Sequence, residues 1–348
     1  MSSPTPLKFL MPGWFSLVMG LCGLSLAWHR ATPLLGEMAD GLALVAGLLA
    51  LGVFVVLLVA SWLRVSRYPA ALAEDLKHPV RHAFVAAFPV SLLLLATVGV
   101  ALGGVANELV VVWRTLWWLG SLGQLWVTLW VLGRWLAPSA PGTSAGNTGL
   151  WPVVTPVLLI PVVGNVLAPL AGVPLGHGGW AAAQFGIGAF FWPVALALIL
   201  ARRIAHSPLP DRVLPAWFIT VAPPAVIGLV LAQAVERGQA PLWTAQALWG
   251  VALFFALWVL PVLKRAVTQP FGIPFWALSF PLAAFTTLTL RLLELQGGPG
   301  GLMQTAAVLL LAATSMVVLW LGFATVRGLR DGSLLAPEPV ASITPVAG

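Results

Sequence analysis

Residues 275–285 read FWALSFPLAAF, an uncharged run in which the ring of Phe280 stands directly before Pro281. Proline removes a backbone donor and clashes with the preceding turn, so inside a soluble helix it costs about 3 kcal/mol and usually ends the element. At membrane depth, such a break is tolerated where the freed backbone groups are buried in protein or face water. The run therefore predicts an interrupted membrane helix inside the protein.

The composition is that of a membrane protein. Of the 348 residues, 60% are hydrophobic and 8% are charged, whereas a soluble domain carries about 25% charged residues. A helix needs about 20 apolar residues to cross the hydrocarbon core. Ten runs of that order are present, at residues 9–29, 41–63, 83–107, 115–133, 151–171, 180–201, 213–235, 242–263, 272–290 and 302–326. Because no period-two alternation of a membrane barrel is found, the predicted fold class is an all-α membrane protein with ten transmembrane helices.

The lysines and arginines are distributed unevenly over the predicted loops. Four of the seventeen lie on one side of the membrane, namely Arg30, Arg114, Arg237 and Arg291. The other thirteen lie on the opposite side, which by the positive-inside rule faces the cytoplasm together with both termini. This predicts a multi-pass protein of the bacterial inner membrane, surrounded by lipid. Because the basic charge is scattered over short loops, nucleic-acid binding is not expected.

One domain is expected. Residues 1–330 are predicted to form a single transmembrane channel domain, and residues 331–348 a disordered cytoplasmic tail. The polar stretch PSAPGTSAGNTG, residues 138–149, is predicted to be a flexible loop between the fourth and fifth spans. Cys22 is the single cysteine of the chain, so no intrachain disulfide can form, and a lone thiol in an apolar helix is most often a packing residue.

Proline placement divides the ten spans into two sets. The odd-numbered spans carry prolines well inside, at Pro89, Pro156, Pro161, Pro223, Pro224 and Pro281. Even-numbered spans have none inside or only one, at Pro193 or Pro261. Chance is one explanation, because proline is common in membrane helices. The functional interpretation is five helical hairpins, in which kinked odd-numbered helices line a central pore and straight even-numbered helices lie outside.

The sequence also resembles the tellurite-resistance/dicarboxylate transporter family, which includes TehA-like proteins and the plant slow-type anion channels. Four stretches carry the resemblance: PGWFSLVMGLCGLSLAW (12–28), RYPAALAEDLKHPVRHAFVAAFP (67–89), VAPPAV (221–226) and FWALSFPLAAF (275–285). It implies a homotrimer in which every subunit has its own pore, lined by five inner helices and closed by a phenylalanine, which by position is Phe280. Bacterial members commonly have Ser-Phe-Gly here, whereas this chain has Ser-Phe-Pro, more like the plant channels.

Helical spacing gives independent support for a gate at Phe280. The residues three, four and seven positions away on its helix face are mostly small, with Trp276 as the bulky exception. A ring in such surroundings has room to swing, although a phenylalanine can equally fill a hole in a packed core. The candidates for pore lining or hinges are Ser16, Met19, Pro89, Pro161, Pro223, Pro224, Ala277, Ser279, Pro281, Ala284 and Thr287.

The predicted spans have no ionisable residue in their middle. Proton-coupled carriers generally keep Asp, Glu or His there, so a channel or facilitator is favoured over the alternative, a proton-coupled C4-dicarboxylate carrier. Anions need no fixed charge in the pore, because hydroxyls such as those of Ser16, Ser279 and Thr287 can donate and helix breaks present partial positive ends. The expected substrates are halides and nitrate, with tellurite, sulfite and C4-dicarboxylates as further candidates.

Catalytic and metal-binding patterns are not evident. HExxH, GxSxG and an intramembrane Asp pair are missing, so no enzyme and no cofactor are expected. His78 and His82 have a spacing that suits a metal, but Pro79 between them favours a helix entrance.

Arg291 is the candidate for the outer mouth of the pore. It follows Phe280 by eleven residues and falls within about twenty degrees of the same helix face. There it could attract anions; the alternatives are an exposed pair with Glu294 at i,i+3 and a snorkelling interface anchor.

Overall fold

Every regular element in the computed structural model is helical within the residues it describes, which are 6–106, 108–136, 151–206, 208–298 and 300–336. The predicted loop at 138–149 and residues 337–348 of the predicted tail lie outside these ranges. The all-helical prediction is therefore confirmed for the described part of the chain.

Thirteen α-helices are found in the described ranges: α1 (Ser16–Arg30), α2 (Thr32–Leu35), α3 (Glu37–Arg67), α4 (Pro69–Lys77), α5 (Ala87–Gly103), α6 (Val110–Leu136), α7 (Leu159–Val163), α8 (Ala168–Gly172), α9 (Gly178–Ala205), α10 (Ala222–Glu236), α11 (Leu242–Ala266), α12 (Ser279–Leu295) and α13 (Gly301–Arg330). Eight 3-10 helices accompany them, at Pro6–Phe9, Pro12–Phe15, Arg81–Ala86, Trp151–Val153, Pro156–Leu158, Gly164–Leu167, Asp211–Val221 and Ile273–Leu278.

Seven helical segments of the described chain are long and apolar enough to cross a membrane: Glu37–Arg67, Arg81–Gly103, Gly178–Ala205, Asp211–Glu236, Leu242–Ala266, Ile273–Leu295 and Gly301–Arg330. The chain is thus a multi-pass membrane protein.

The remaining three predicted spans differ from this pattern for separate reasons. The α-helical part of the first, α1, has 15 residues. Helix α6 has 27 residues, but six tryptophans and Gln124 lower its mean hydropathy. The fifth is the 17-residue segment Pro156–Gly172, which its prolines and Gly164 divide into short pieces.

Burial separates the membrane segments into two groups. Within the most apolar stretch of each segment, the buried share is 72% for Arg81–Gly103, 61% for Asp211–Glu236 and 83% for Ile273–Leu295. The same share is between 17% and 33% for α3, α9, α11 and α13. Helix α1 and the segment Pro156–Gly172 are also largely buried. Five segments therefore occupy the interior, and the exposed helices carry large apolar side chains such as Phe190 and Leu319 outward.

The interior prolines mark a change of helix type. Pro89, Pro161 and Pro281 each occupy the third position of an α-helix, and Pro223 and Pro224 occupy the second and third positions of α10. A 3-10 helix leads directly into each of these α-helices. The N–H groups of a first turn lack partners within their own α-helix, so proline removes little there. The predicted interruption takes this form instead of a kink within a continuous helix.

A buried ion triad fixes the chain before the segment Arg81–Gly103. Asp75 of α4 is 1% exposed. Its carboxylate accepts hydrogen bonds from Arg64 Nη2 at 2.7 Å and from Arg81 Nη1 at 3.1 Å. Arg64 also donates through Nε to the carbonyl of Lys8 at 3.0 Å. The triad thereby connects α3, α4 and the N-terminal residues.

Candidate functional site

An inner cavity lies where the buried segments change from 3-10 to α-helix. The space open to the centre of a water-sized sphere is about 60 Å³, and all five buried segments contribute to the wall. Its described side chains are apolar apart from the hydroxyl of Ser16 and the indole of Trp276. Six of the predicted residues line it, namely Ser16, Met19, Pro223, Ala277, Phe280 and Pro281.

Phe280 borders this cavity at the N-terminal end of α12. The residue is 8% exposed, and its ring faces Gly23 of α1, a position without a side chain. Trp276, one turn earlier, is held in place because its Nε1 donates to Thr325 Oγ1 of α13 at 2.9 Å. The ring of Phe280 thus borders the cavity and lies against a part of α1 that has no side chain.

The three predicted hydroxyl donors are engaged with the backbone. Ser16 Oγ donates to the carbonyl of Gly13, Ser279 Oγ to that of Trp276, and Thr287 Oγ1 to that of Ala283, at 2.7–2.8 Å. Ser279 is fully buried. An anion would have to draw each proton away from a carbonyl, so these hydroxyls provide weak sites at most.

A second cavity lies at the opposite ends of the same five segments. We name it the outer vestibule after the orientation that the basic residues predict. The space open to the centre of a water-sized sphere is about 180 Å³. Its lining includes Arg30, Thr97, Leu170, Gln233, Glu236, Thr287 and Arg291. On α12, Phe280 borders the inner cavity and Thr287 the vestibule, seven residues or about 10 Å further along the helix. A packed layer of one to two helical turns therefore separates the two cavities.

The vestibule contains an ion-pair network. Arg291 is 7% exposed, and its Nη2 contacts Glu236 Oε1 at the end of α10. Its Nη1 donates to Glu294 Oε2, which also accepts from Arg30 Nη1 at 3.4 Å. Arg291 thus lines the vestibule and also pairs with Glu294, but its side chain is buried, whereas the sequence analysis considered an exposed pair. Its role at an outer mouth stays a prediction.

The other predicted site residues lie outside the cavity walls. Pro89, Pro161, Pro224, Ser279 and Ala284 are buried in the helix packing. The two histidines before the third span belong to a helix entrance, since His78 Nδ1 accepts hydrogen bonds from the backbone N–H groups of Val80 and Arg81 at 3.1 Å.

Behind the inner cavity lies a neutral polar network that the sequence analysis missed. Gln124 Nε2 donates to the carbonyls of Ile160 and Pro161 at 3.1 and 3.0 Å. Thr128 Oγ1 donates to the same Pro161 carbonyl at 2.6 Å. Asn165 Nδ2 donates to Thr128 Oγ1 at 2.8 Å. These bonds hold the divided segment Pro156–Gly172, whose residues Ile160 and Gly164 form part of the cavity wall. The sequence feature that could have predicted this network is the presence of two amide side chains, Gln124 and Asn165, within apolar spans.

One family model and several known proteins are similar to this chain in sequence. The model of the family SLAC1, described as voltage-dependent anion channel, matches residues 10–326. The chain is similar to the tellurite resistance protein TehA homolog of Haemophilus influenzae, with 24% identity over 81% of this chain and 80% of that protein. It is similar to the S-type anion channel SLAH2 of Arabidopsis thaliana, with 23% identity over 79% of this chain and 50% of that protein. The uncharacterized transporter MJ0576 of Methanocaldococcus jannaschii is 28% identical over 80% of this chain and 82% of its own length.

Proposed function

Because the chain belongs to the voltage-dependent anion channel family, we propose that it is a channel or facilitator for small anions. The family match covers residues 10–326 and confirms the resemblance found in the sequence. The family is one of channels and transporters, so the protein is not an enzyme.

The proposed path runs through the inner cavity and the outer vestibule of each subunit. Its main support is that both cavities are lined by the same five buried segments, with Phe280 beside the layer between them. In this proposal α1, the segment Pro156–Gly172 and α6 cross the membrane along with the seven apolar segments, which makes ten spans in five hairpins. Residues 1–330 form the channel domain, and Phe280 is its gate.

The proposed substrates are small anions. The inner cavity is narrow and without charged side chains among its described lining residues, so it suits ions that are weakly hydrated and carry one charge. Halides and nitrate fit this description. Tellurite, sulfite and C4-dicarboxylates, which can carry two charges, are further candidates on the family resemblance alone. We place the protein as a homotrimer in the bacterial inner membrane, with cytoplasmic termini.

The test compares purified wild-type protein with Phe280→Ala in planar bilayers, using chloride, nitrate and malate one at a time. We expect Phe280→Ala to raise the anion conductance strongly, because it removes the ring from the wall of the inner cavity. Phe285→Ala is the matched control, since Phe285 is 2% exposed on the same helix but packs against Trp249, away from the cavity. Equal conductance of the Phe280→Ala variant and the wild type would rule out this gate.

A further inference from the structure

We propose that the outer vestibule is an anion-binding site in which the carboxylates of Glu236 and Glu294 compete with the entering anion for Arg291. The inference rests on the proposed anion transport and adds a binding step at the outer mouth.

The geometry provides one buried cation and two accessible carboxylates. The side chain of Arg291 is 8% exposed, whereas those of Glu236 and Glu294 are 41% and 36% exposed. Each carboxylate takes a different terminal nitrogen of the guanidinium. A carboxylate can therefore turn outward into water, while the guanidinium stays within the wall of the vestibule.

In the two ion pairs of Arg291, the carboxylates of Glu236 and Glu294 occupy the positions that a bound anion would take. A guanidinium presents N–H groups in a fixed fork that matches the oxygens of carboxylates and other oxyanions. Removing one partner of a buried pair leaves an uncompensated charge, which is strongly unfavourable. When Glu236 or Glu294 swings away, Arg291 keeps its other carboxylate, and a small anion can take the terminal nitrogen that has been vacated. The site takes halides or small oxyanions and exchanges them against the protein's own carboxylates.

Competition of this kind keeps the affinity low. Arg30, Arg291, Glu236 and Glu294 together carry no net formal charge, so the closed network does not hold an anion by its field. The neighbouring His29 is engaged separately, with Asp40 at 3.3 Å. An entering anion thus meets a cation but releases easily when the carboxylate returns, which suits rapid passage.

The first test measures chloride saturation of the Phe280→Ala channel, with Glu236→Gln added to the same background. The potassium salt of a bulky buffer anion without a carboxylate replaces chloride to hold the ionic strength constant. We expect the half-saturating chloride concentration to fall about threefold or more, because a neutral amide competes less well for the guanidinium than a carboxylate. Glu37→Gln is the control for the general surface charge, since Glu37 is exposed and in no ion pair within the described residues. An unchanged half-saturation in Glu236→Gln overturns the proposal.

A second test needs no current. Thermal unfolding of the detergent-solubilised protein is followed at rising chloride and constant ionic strength, because a ligand that binds the folded state raises the melting temperature. Chloride should raise the melting temperature of Glu236→Gln more than that of the wild type, and it should raise that of Arg291→Gln less. An equal rise of the melting temperature in the wild type and in both variants overturns the proposed anion site. Glu294→Gln, which frees the other terminal nitrogen, serves if Glu236→Gln does not fold. Lack of current in Phe280→Ala contradicts the proposed function alone.

Discussion

Gly23 of α1 lies against the ring of Phe280 on α12, so closely that a Cβ added at Gly23 would come within 3.3 Å of the ring carbon Cδ2. The same added atom would lie 2.8 Å from the Cβ of Ala283. The lack of a side chain at Gly23 is thus what allows α1 to approach α12 closely at Phe280 and Ala283. The space available to the ring is set by α1 as much as by α12.

We expect Gly23→Ala to lower the melting temperature of the protein in detergent, because overpacking costs about 1–3 kcal/mol. Phe280→Ala should recover part of that loss, since it removes one of the two close contacts. Gly20→Ala is the matched control. A Cβ at Gly20 would lie 2.2 Å from Ser279 Oγ, so Phe280→Ala should bring it no relief. Equal recovery in both pairs would show that the ring does not respond to Gly23.

Arg291→Gln should reduce the anion current of the Phe280→Ala channel at low ionic strength. The effect should fade as salt rises, because the Debye length falls from about 10 Å at 0.1 M to about 3 Å at 1 M. Bilayer currents at several salt concentrations measure it. Arg237→Gln, which removes an exposed charge next to Glu236, is the control. Identical currents with and without the guanidinium at low salt would exclude a role at the mouth.

Gln124→Leu should destabilise the protein by about 1–3 kcal/mol, because the buried carbonyls of Ile160 and Pro161 would lose a donor. Gln233→Leu tests the same segment from another side, where Nε2 makes one long bond of 3.4 Å to the carbonyl of Leu170. We expect a much smaller effect there. Thermal unfolding measures the stability of both variants. A comparable loss of stability in the two would mean that the network around Gln124 has no special role.

Asp75→Asn should cost about 3–5 kcal/mol of stability, because it leaves the buried guanidinium of Arg64 without its counter-charge. The neighbouring Glu74 is exposed, and Glu74→Gln should be close to neutral. Size-exclusion chromatography and thermal unfolding measure both variants. A stable Asp75→Asn protein would show that the triad is dispensable.

The helical membrane architecture could be predicted because the bilayer leaves few options to a long uncharged run. Predicted span 41–63 lies within α3, and span 302–326 lies within α13. The form of the interruption at Pro281 could not be predicted. Proline occurs both at kinks within a continuous helix and in the first turn of a new α-helix, and the three-dimensional packing decides between them.

The polar contacts were less accessible to sequence reasoning. Arg291 and Glu294 are three residues apart, so helical spacing predicts their pair. Glu236 is distant in sequence and reaches Arg291 through the folding of α10 against α12. The direction of the Ser279 hydroxyl depends on a side-chain rotamer, which spacing does not specify. Gln124 carries no charge and therefore did not stand out among the apolar residues of α6.

The 3-10 turns in the buried segments also determine how far each segment reaches. A 3-10 helix rises about 2.0 Å per residue and an α-helix about 1.5 Å. Pro156–Gly172 has seven residues in 3-10 helices and ten in α-helices, which gives about 29 Å, close to the thickness of about 30 Å of the hydrocarbon core. As a regular α-helix the same 17 residues would end about 4 Å short. Helix α12, with 17 residues, would also be too short alone, and the six residues of Ile273–Leu278 extend it by about 12 Å. Added along one axis, the 3-10 turns thus bring Pro156–Gly172 close to the length that the proposed ten-span arrangement requires of it.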